Sequence, residues 1–293
     1  MAIFKGAAVA IVTPFFDNGE INYPKLAELL DYQIENGTDA IVICGTTGES
    51  ATLSSSEQLT LIAHAMQYTA GRCKIIAGTG SNDTAHAIDL SRAASSMGVS
   101  AVLIVTPYYN KCTQAGLIAH YEAIADAISC PVICYNVPSR TGLDLKLETC
   151  QALAKHPNIQ GVKEAGGSPA KIAKIIETCA DSFFVWSGND DEAVTAMALG
   201  AKGLISVLSN VRPKKTLAML RACQKNDFRT AGRLQRELIP LIGALFCEVN
   251  PIPIKKALEL EGFPVGLPRL PLTELSEEKL PMVKAALAAT PDA

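Results

Sequence analysis

One lysine of this chain lies in a sequence context that favours covalent chemistry with a ketone. Lys163 ends the mostly apolar stretch Ile159–Val162 and is followed by Glu164, Ala165 and two glycines. Lysine side chains are rarely buried, and an amine that an apolar pocket keeps away from water favours its neutral, nucleophilic form. Such an amine condenses with a carbonyl to form a Schiff base. The alternative is a lysine that extends to the rim and keeps its charge in water, which is common for an isolated lysine.

A second segment that is suited to chemistry is Gly45–Glu49, in which two threonines lie between two glycines. Such a turn exposes backbone N–H groups beside the hydroxyls of Thr46 and Thr47, which suits a carboxylate or a phosphate. The segment is not a P-loop, because no Gly-Lys-Ser/Thr follows it. Taken alone, the pattern is also typical of an ordinary strand-to-helix turn.

Two tyrosines and an arginine follow predicted strands. Tyr109 and Tyr135 each come at the end of an apolar run, and Arg140 lies in the loop after Tyr135. A tyrosine hydroxyl near a Schiff-base lysine can relay protons, and a guanidinium offers two parallel donors to a carboxylate. Each residue alone has a simpler explanation, namely packing for a tyrosine and a solvated surface charge for an arginine.

The elements that must position these residues alternate between short β-rich runs and longer amphipathic stretches. Most of the short runs are continuously apolar, which is typical of parallel strands covered on both faces. About eight strand–helix units before residue 225 predict an α/β fold, the (β/α)8 TIM barrel. An open doubly wound sheet is the alternative, and the lack of a strand–Gly-x-Gly-x-x-Gly–helix pattern disfavours it. The predicted strands are Ala8–Thr13, Ala40–Cys44, Lys74–Gly78, Ala101–Thr106, Val132–Asn136, Gln160–Lys163, Phe184–Ser187 and Gly203–Val207.

In such a barrel the catalytic groups lie at the carboxyl ends of the strands and in the loops that follow them. We therefore expect the segments above to converge at one end. Glu164 is not expected to be the catalytic base, because neighbouring residues of a strand face opposite ways.

The end of the chain predicts an appended helical cap. Three helices are expected, at Thr230–Phe246, Pro253–Glu261 and Glu274–Ala288. We divide the chain into a catalytic barrel over residues 1–225 and a C-terminal helical extension over residues 226–293 that packs on the barrel.

Composition narrows the classes of partner. Lys and Arg number 26 against 29 for Asp and Glu, a net charge of −3, which offers no electrostatic reason to expect nucleic acid or an anionic membrane. Nine cysteines without a Cys-x-x-Cys pair indicate free thiols in a reducing cytoplasm. The four histidines show no metal-ligand spacing, so we expect no metal. No apolar run approaches the roughly 18 residues of a membrane span.

The chain resembles the pyruvate-dependent class I aldolases and, among them, the dihydrodipicolinate synthase family, from about Phe4 into the C-terminal tail. The resemblance implies a barrel enzyme that condenses pyruvate with L-aspartate 4-semialdehyde to 4-hydroxy-tetrahydrodipicolinate in lysine and diaminopimelate biosynthesis. It also implies that no cofactor is needed and that the assembly is a homotetramer, a dimer of tight dimers. The motifs that carry it are Val12–Pro14, Gly45–Glu49, Gly78–Gly80, Thr106–Asn110, Tyr135–Gly142, Val162–Ala165 and Asn250–Pro253.

The resemblance also implies catalytic roles for particular residues. Lys163 would form the Schiff base with pyruvate, and Tyr135 would donate and accept protons over that adduct. Thr46 would link Tyr135 to Tyr109, which in the family reaches into the site from a neighbouring subunit.

Substrate-binding roles are implied in the same way. Thr47 and its backbone N–H would hold the pyruvate carboxylate, and the backbones of Ile205 and Gly188 would line the same pocket. Arg140 would bind the carboxylate of the second substrate.

Three other functions compete with this interpretation. N-acetylneuraminate lyase and the keto-sugar-acid aldolases share the glycine-rich loop, the tyrosine and the lysine, but usually lack an arginine at the position of Arg140. A barrel that binds a keto acid without turnover is disfavoured, because the whole residue set is intact. A metal-dependent aldolase is disfavoured by the lack of clustered His, Asp and Glu.

A candidate effector site is implied by relatives that lysine inhibits. Four residues match their pattern, while His86 stands where inhibited relatives often carry a Glu. A histidine does not offer the negative charge that would pair with the effector's ammonium, so we predict weak or absent inhibition by lysine. The matching residues are Ser50, Ala51, Asn82 and Tyr108.

Overall fold

Eight parallel strands close into a barrel in which the spatial order follows the chain. The computed structural model describes residues 1–292. Strand β1 pairs with β2 on one side and with β8 on the other, which closes the sheet. The strands are β1 Gly6–Ala10, β2 Ala40–Ile43, β3 Lys74–Gly78, β4 Ala101–Val105, β5 Val132–Asn136, β6 Ile159–Glu164, β7 Phe184–Ser187 and β8 Gly203–Ser206. The predicted (β/α)8 barrel is confirmed, and the open doubly wound sheet is wrong.

Helices surround the strands and continue beyond them. Helix α2 begins with a capping box: Ser54 caps it, and the Glu57 carboxylate accepts a hydrogen bond of 2.8 Å from the Ser54 N–H. The helices are α1 Tyr23–Glu35, α2 Ser55–Thr69, α3 Thr84–Ser96, α4 Gln114–Asp126, α5 Pro138–Thr141, α6 Leu147–Leu153, α7 Pro169–Thr178, α8 Ala193–Ala198, α9 Pro213–Gln224, α10 Phe228–Leu245, α11 Ile252–Leu260 and α12 Leu280–Ala289.

Most strands and C-terminal helices begin and end within two residues of their predicted bounds, and three elements differ by more. Strand β1 begins two residues earlier than predicted and ends at Ala10, because the chain beyond it leaves the ladder, where the Val12 N–H donates to the Asn210 side chain. Helix α12 begins at Leu280 and not at Glu274, consistent with Pro281, which favours the first turn of a helix. Helix α5 was not predicted, because a single turn leaves no periodic pattern.

The barrel interior is open at one end only. At the other end, Trp186 is fully buried and its ring stacks on Phe4 with centroids 5.3 Å apart. Its indole N–H donates to the Phe4 carbonyl over 3.2 Å. Because Phe4 lies two residues before the start of β1, these rings fill the amino-terminal end and leave the carboxyl end for a site.

Helices α10, α11 and α12 form the C-terminal extension. Helix α10 packs against α8, α9 and α12, and α11 packs against α10 and α12. The domain boundary at residue 225 stays a prediction. Within residues 1–292 we find no helix with the length and apolar character needed to traverse a bilayer.

Candidate active site

A cavity of about 240 Å³ lies at the carboxyl end of the barrel. We call it the barrel-mouth cavity. Apolar residues of several strands form part of its wall, among them Ala10, Val42 and Leu103. The fold brings together six of the eight predicted catalytic and substrate-binding residues here: Lys163, Tyr135, Thr46, Thr47, Arg140 and Gly188.

Lys163 is the reactive-amine candidate of this cavity. It lies next to last in β6 and is only 6% exposed, so the alternative of a lysine that extends into bulk water is wrong. Tyr135 is its partner in the β5–β6 register. The Lys163 Nζ lies 4.2 Å from the centroid of the Tyr135 ring. The amine and the tyrosine are therefore adjacent because of sheet register.

Glu164 faces the other side of the sheet. Its carboxylate accepts hydrogen bonds from Asn136 Nδ2 at 2.9 and 3.0 Å and from the Gly166 N–H at 2.6 Å. Lys171 Nζ of α7 lies 3.3 Å away. Burial raises the pKa of Glu164, and the Lys171 ammonium opposes that shift. The expectation that Glu164 points away from Lys163 is confirmed.

The glycine-rich loop after β2 supplies two hydroxyls to the cavity wall. Both Thr46 and Thr47 line it. The Asn250 Nδ2 donates to the Thr47 Oγ1 over 2.9 Å, and the Thr13 Oγ1 donates to the Gly48 carbonyl over 2.7 Å. The loop is therefore held both from the barrel and from the C-terminal extension.

Arg140 belongs to the single turn α5, where it reaches the cavity wall. Its Nη2 donates to the Asn250 carbonyl over 3.3 Å. The guanidinium has further N–H donors and carries a positive charge, and both suit this side of the cavity to a carboxylate.

Two predicted residues do not line the barrel-mouth cavity. Ile205 is fully buried in the barrel interior, and Val207 forms the wall after β8 instead. Tyr109 is 91% exposed and adopts a left-handed φ of 68° in the loop after β4. Within this single chain Tyr109 does not reach the cavity, so its role in a neighbouring subunit stays a prediction.

Sequence reasoning assigned no role to two cavity residues from the C-terminal extension. Asn250 belongs to a motif that carried the resemblance, so its signal was present in the sequence. Phe246 follows α10 and has no recognisable signal. Both line the barrel-mouth cavity, although neither belongs to a barrel strand.

A larger cavity of about 530 Å³ adjoins the first. We call it the outer cavity. It shares Thr46, Arg140 and Asn250 with the barrel-mouth cavity. The structure brings together all five residues of the candidate effector site in its wall, namely Ser50, Ala51, Asn82, His86 and Tyr108. Within residues 1–292 no cluster of three or more His, Cys, Asp or Glu side chains is arranged to hold a metal ion.

The fold and this site together define a class of protein: a (β/α)8 barrel with a buried lysine and an overlying tyrosine at its mouth, as in aldolases that act through a Schiff base. The sequence model of the Dihydrodipicolinate synthetase family matches residues 3–290. The chain belongs to this family.

Individual relatives agree with that assignment. The chain is 52% identical to the 4-hydroxy-tetrahydrodipicolinate synthase of Lachnoclostridium phytofermentans, over 94% of this chain and 95% of the relative. The crystal structure of a dihydrodipicolinate synthase from Bacillus anthracis has a TM-score of 0.96 at 42% identity, covering 99% of this chain and all of that one (100%). A chloride-inhibited dihydrodipicolinate synthase from Acinetobacter baumannii, complexed with pyruvate, has a TM-score of 0.95 at 43% identity, covering 98% of each chain. The predicted family and the predicted lyase class of enzyme are confirmed.

Proposed function

We propose that this chain condenses pyruvate with L-aspartate 4-semialdehyde to 4-hydroxy-tetrahydrodipicolinate. The names of its relatives support this reaction. The observation that carries the proposal is the buried Lys163 amine, 4.2 Å from the Tyr135 ring in a cavity that also holds two threonines and an arginine.

The chemistry balances with these residues alone. The Lys163 nitrogen attacks the pyruvate ketone, and water leaves to form an imine. Loss of a methyl proton gives an enamine, whose carbon forms a bond to the aldehyde of the second substrate. The amino group of that substrate then attacks the imine carbon, which closes the ring and releases Lys163. One water is lost for each product formed.

Each cavity residue has a proposed part in these steps. Tyr135, beside the amine, moves the protons of imine formation and of enamine formation. Thr47 provides its hydroxyl and its backbone N–H for the pyruvate carboxylate. Thr46 would link Tyr135 to the Tyr109 of a neighbouring subunit. Arg140, on the outer side, takes the carboxylate of the aldehyde substrate.

The proposal extends to assembly and cellular role. The exposed Tyr109 would enter the site of a neighbouring subunit, in a homotetramer built as a dimer of dimers. The reaction would serve lysine and diaminopimelate biosynthesis in the cytoplasm, where the nine free cysteines would stay reduced.

Borohydride trapping tests the central step. Reduction in the presence of pyruvate should fix a pyruvate-derived mass on Lys163, and the variant Lys163→Met should show none. Lys171→Met is the matched control, because Lys171 pairs with Glu164 outside the cavity and should leave Lys163 able to form the adduct. Absence of an adduct on wild-type Lys163 would refute the Schiff-base mechanism.

A second assay tests the aldehyde substrate. The purified protein should consume pyruvate together with L-aspartate 4-semialdehyde, and Arg140→Ala should raise the KM for the aldehyde more than that for pyruvate. Faster cleavage of N-acetylneuraminate would assign the chain to the sister lyases instead. An adduct without any turnover would indicate a keto-acid-binding barrel.

A further inference from the structure

A buried ion pair lies behind the glycine-rich loop. The Lys255 Nζ of α11 lies 2.8 Å from the Glu49 Oε1, and the two residues are only 3% and 4% exposed. The ammonium also donates to the carbonyls of Thr13 at 3.2 Å and Leu267 at 3.1 Å. It lies 4.4 Å from the centroid of the Phe15 ring. Lys255 therefore has a partner for each of its three N–H donors, as a buried charge requires.

Glu49 is held equally firmly. Its second oxygen accepts a hydrogen bond of 2.9 Å from the Arg269 backbone N–H. Its own backbone adopts a left-handed φ of 58°, which is unfavourable for a residue other than glycine and persists only where surrounding contacts hold it. The Glu49 N–H donates to the Thr46 carbonyl over 3.1 Å. The position of Glu49 therefore determines the turn that contains Thr46 and Thr47.

The segment that carries Lys255 also reaches the loop directly. Asn250, which precedes α11 by two residues, donates to the Thr47 Oγ1 over 2.9 Å. The residue Asn250 just before α11 therefore orients the Thr47 hydroxyl, while Lys255 from the first turn of α11 holds Glu49. Both contacts come from the C-terminal extension.

We propose that Glu49 and Lys255 are positioning residues that hold the Thr46–Thr47 loop in the conformation that binds the keto-acid carboxylate. Neither side chain lines the barrel-mouth cavity, and only Glu49 lines the adjoining outer cavity, so we assign both an action on pyruvate binding through the loop. The inference rests on the proposed function, because it assigns pyruvate binding to that loop. It gives the C-terminal extension a part in substrate binding.

A purely structural role makes a different prediction. An ion pair that only fastens α11 to the barrel would, when broken, lower the melting temperature and leave the loop unchanged in the protein that remains folded. If the pair positions the loop, breaking it changes the loop in the folded protein. The KM for pyruvate then rises, and the backbone amides of residues 45–49 exchange their hydrogens faster. Stability alone does not separate the two roles.

The experiment compares Lys255→Met and Glu49→Gln with Glu261→Gln. Glu261 follows the last residue of the same helix, where it pairs with Arg212 at 2.9 Å, at the opposite end from the loop. In Lys255→Met we expect a rise of about tenfold or more in the KM for pyruvate, the scale for loss of a hydrogen bond between charged groups. Hydrogen exchange of residues 45–49 should accelerate, while Glu261→Gln changes neither quantity.

One result would overturn the proposal. Lys255→Met and Glu49→Gln would have a lower melting temperature, but their KM for pyruvate and the hydrogen exchange of their loop would equal those of Glu261→Gln. If Lys255→Met does not fold, Glu49→Gln decides, because glutamine keeps the size of the side chain while it removes the charge and one of the two acceptor oxygens that Lys255 and Arg269 use. Exchange is measured without substrate, so it reports on the loop even if wild-type protein forms no pyruvate adduct. Failure of the proposed function and failure of this inference are thereby distinguished.

Discussion

Gly188 leaves room for the Lys163 side chain, and filling that room provides a sharp test of the site. A Cβ at Gly188 would lie 2.8 Å from the Ala165 Cβ, 3.0 Å from the Lys163 Cε and 3.2 Å from the Lys163 Cγ. Carbon atoms normally approach no closer than about 3.5 Å. The variant Gly188→Ala therefore requires a displacement of about 0.7 Å from the Ala165 Cβ, which is fixed to its backbone, and of about 0.5 Å from the Lys163 Cε, which is the flexible partner.

The expected cost falls on reactivity as well as on stability. Overpacking of this kind destabilises a fold by about 1–3 kcal/mol. A displacement of about 1 Å in a reacting group reduces the rate about a hundredfold, so we expect pyruvate trapping by borohydride to slow by about ten- to a hundredfold. The rate of adduct formation on Lys163 is followed by mass spectrometry, and the melting temperature is measured in parallel.

Gly243→Ala is the matched control for this substitution. Gly243 lies inside α10, and a Cβ there would meet no atom within 4 Å. Replacing a glycine in a helix by alanine should stabilise the protein by about 0.5–1 kcal/mol and leave trapping unchanged. If Gly188→Ala folds and traps pyruvate at the wild-type rate, the argument that Gly188 provides space for the amine is wrong.

Three further predictions follow from other parts of the structure. Burial lowers the pKa of His120 to about 4, so between pH 6.5 and pH 4 the unfolded chain binds a proton that the folded chain does not. The contribution of His120 to the free energy of unfolding should therefore fall by about 3 kcal/mol as the pH drops from 6.5 to 4 and stay constant above pH 6.5. Denaturant titrations should show a shallower fall in His120→Gln than in the wild type. Lysine should inhibit only above about a millimolar, and His86→Glu should lower that concentration about ten- to a hundredfold in inhibition assays. Inactive Tyr109→Phe and Lys163→Ala proteins should regain part of the activity when mixed and reassembled.

Each of these predictions has an outcome that contradicts it. If the free energy of unfolding depends on pH equally in the wild type and in His120→Gln, the proton bound on unfolding does not belong to His120. Strong inhibition of the wild type at micromolar lysine would show that His86 does not weaken the effector site. No rescue in mixed assemblies would place Tyr109 in its own chain's chemistry or outside the reaction.

Much of this protein could be predicted from its sequence, because the decisive patterns are local. Continuously apolar runs at regular spacing indicated the parallel barrel, and a barrel brings the carboxyl ends of all its strands to one face. That rule alone placed Lys163, Tyr135 and the glycine-rich loop near each other. Strand alternation alone predicted that Glu164 faces away from Lys163, as its contacts with Asn136 and Lys171 confirm.

Tertiary structure alone decided which distant residues complete and support the site. Asn250 and Phe246 reach the cavity from the C-terminal extension, and Lys255 meets Glu49 across 206 positions of the chain. Such contacts leave no periodic trace, because they form only when the barrel has closed and the extension has packed against it. The candidate reactive amine, Lys163, could therefore be predicted from its own strand. The Glu49–Lys255 pair, which we propose holds the glycine-rich loop in place, is defined only by the folded chain.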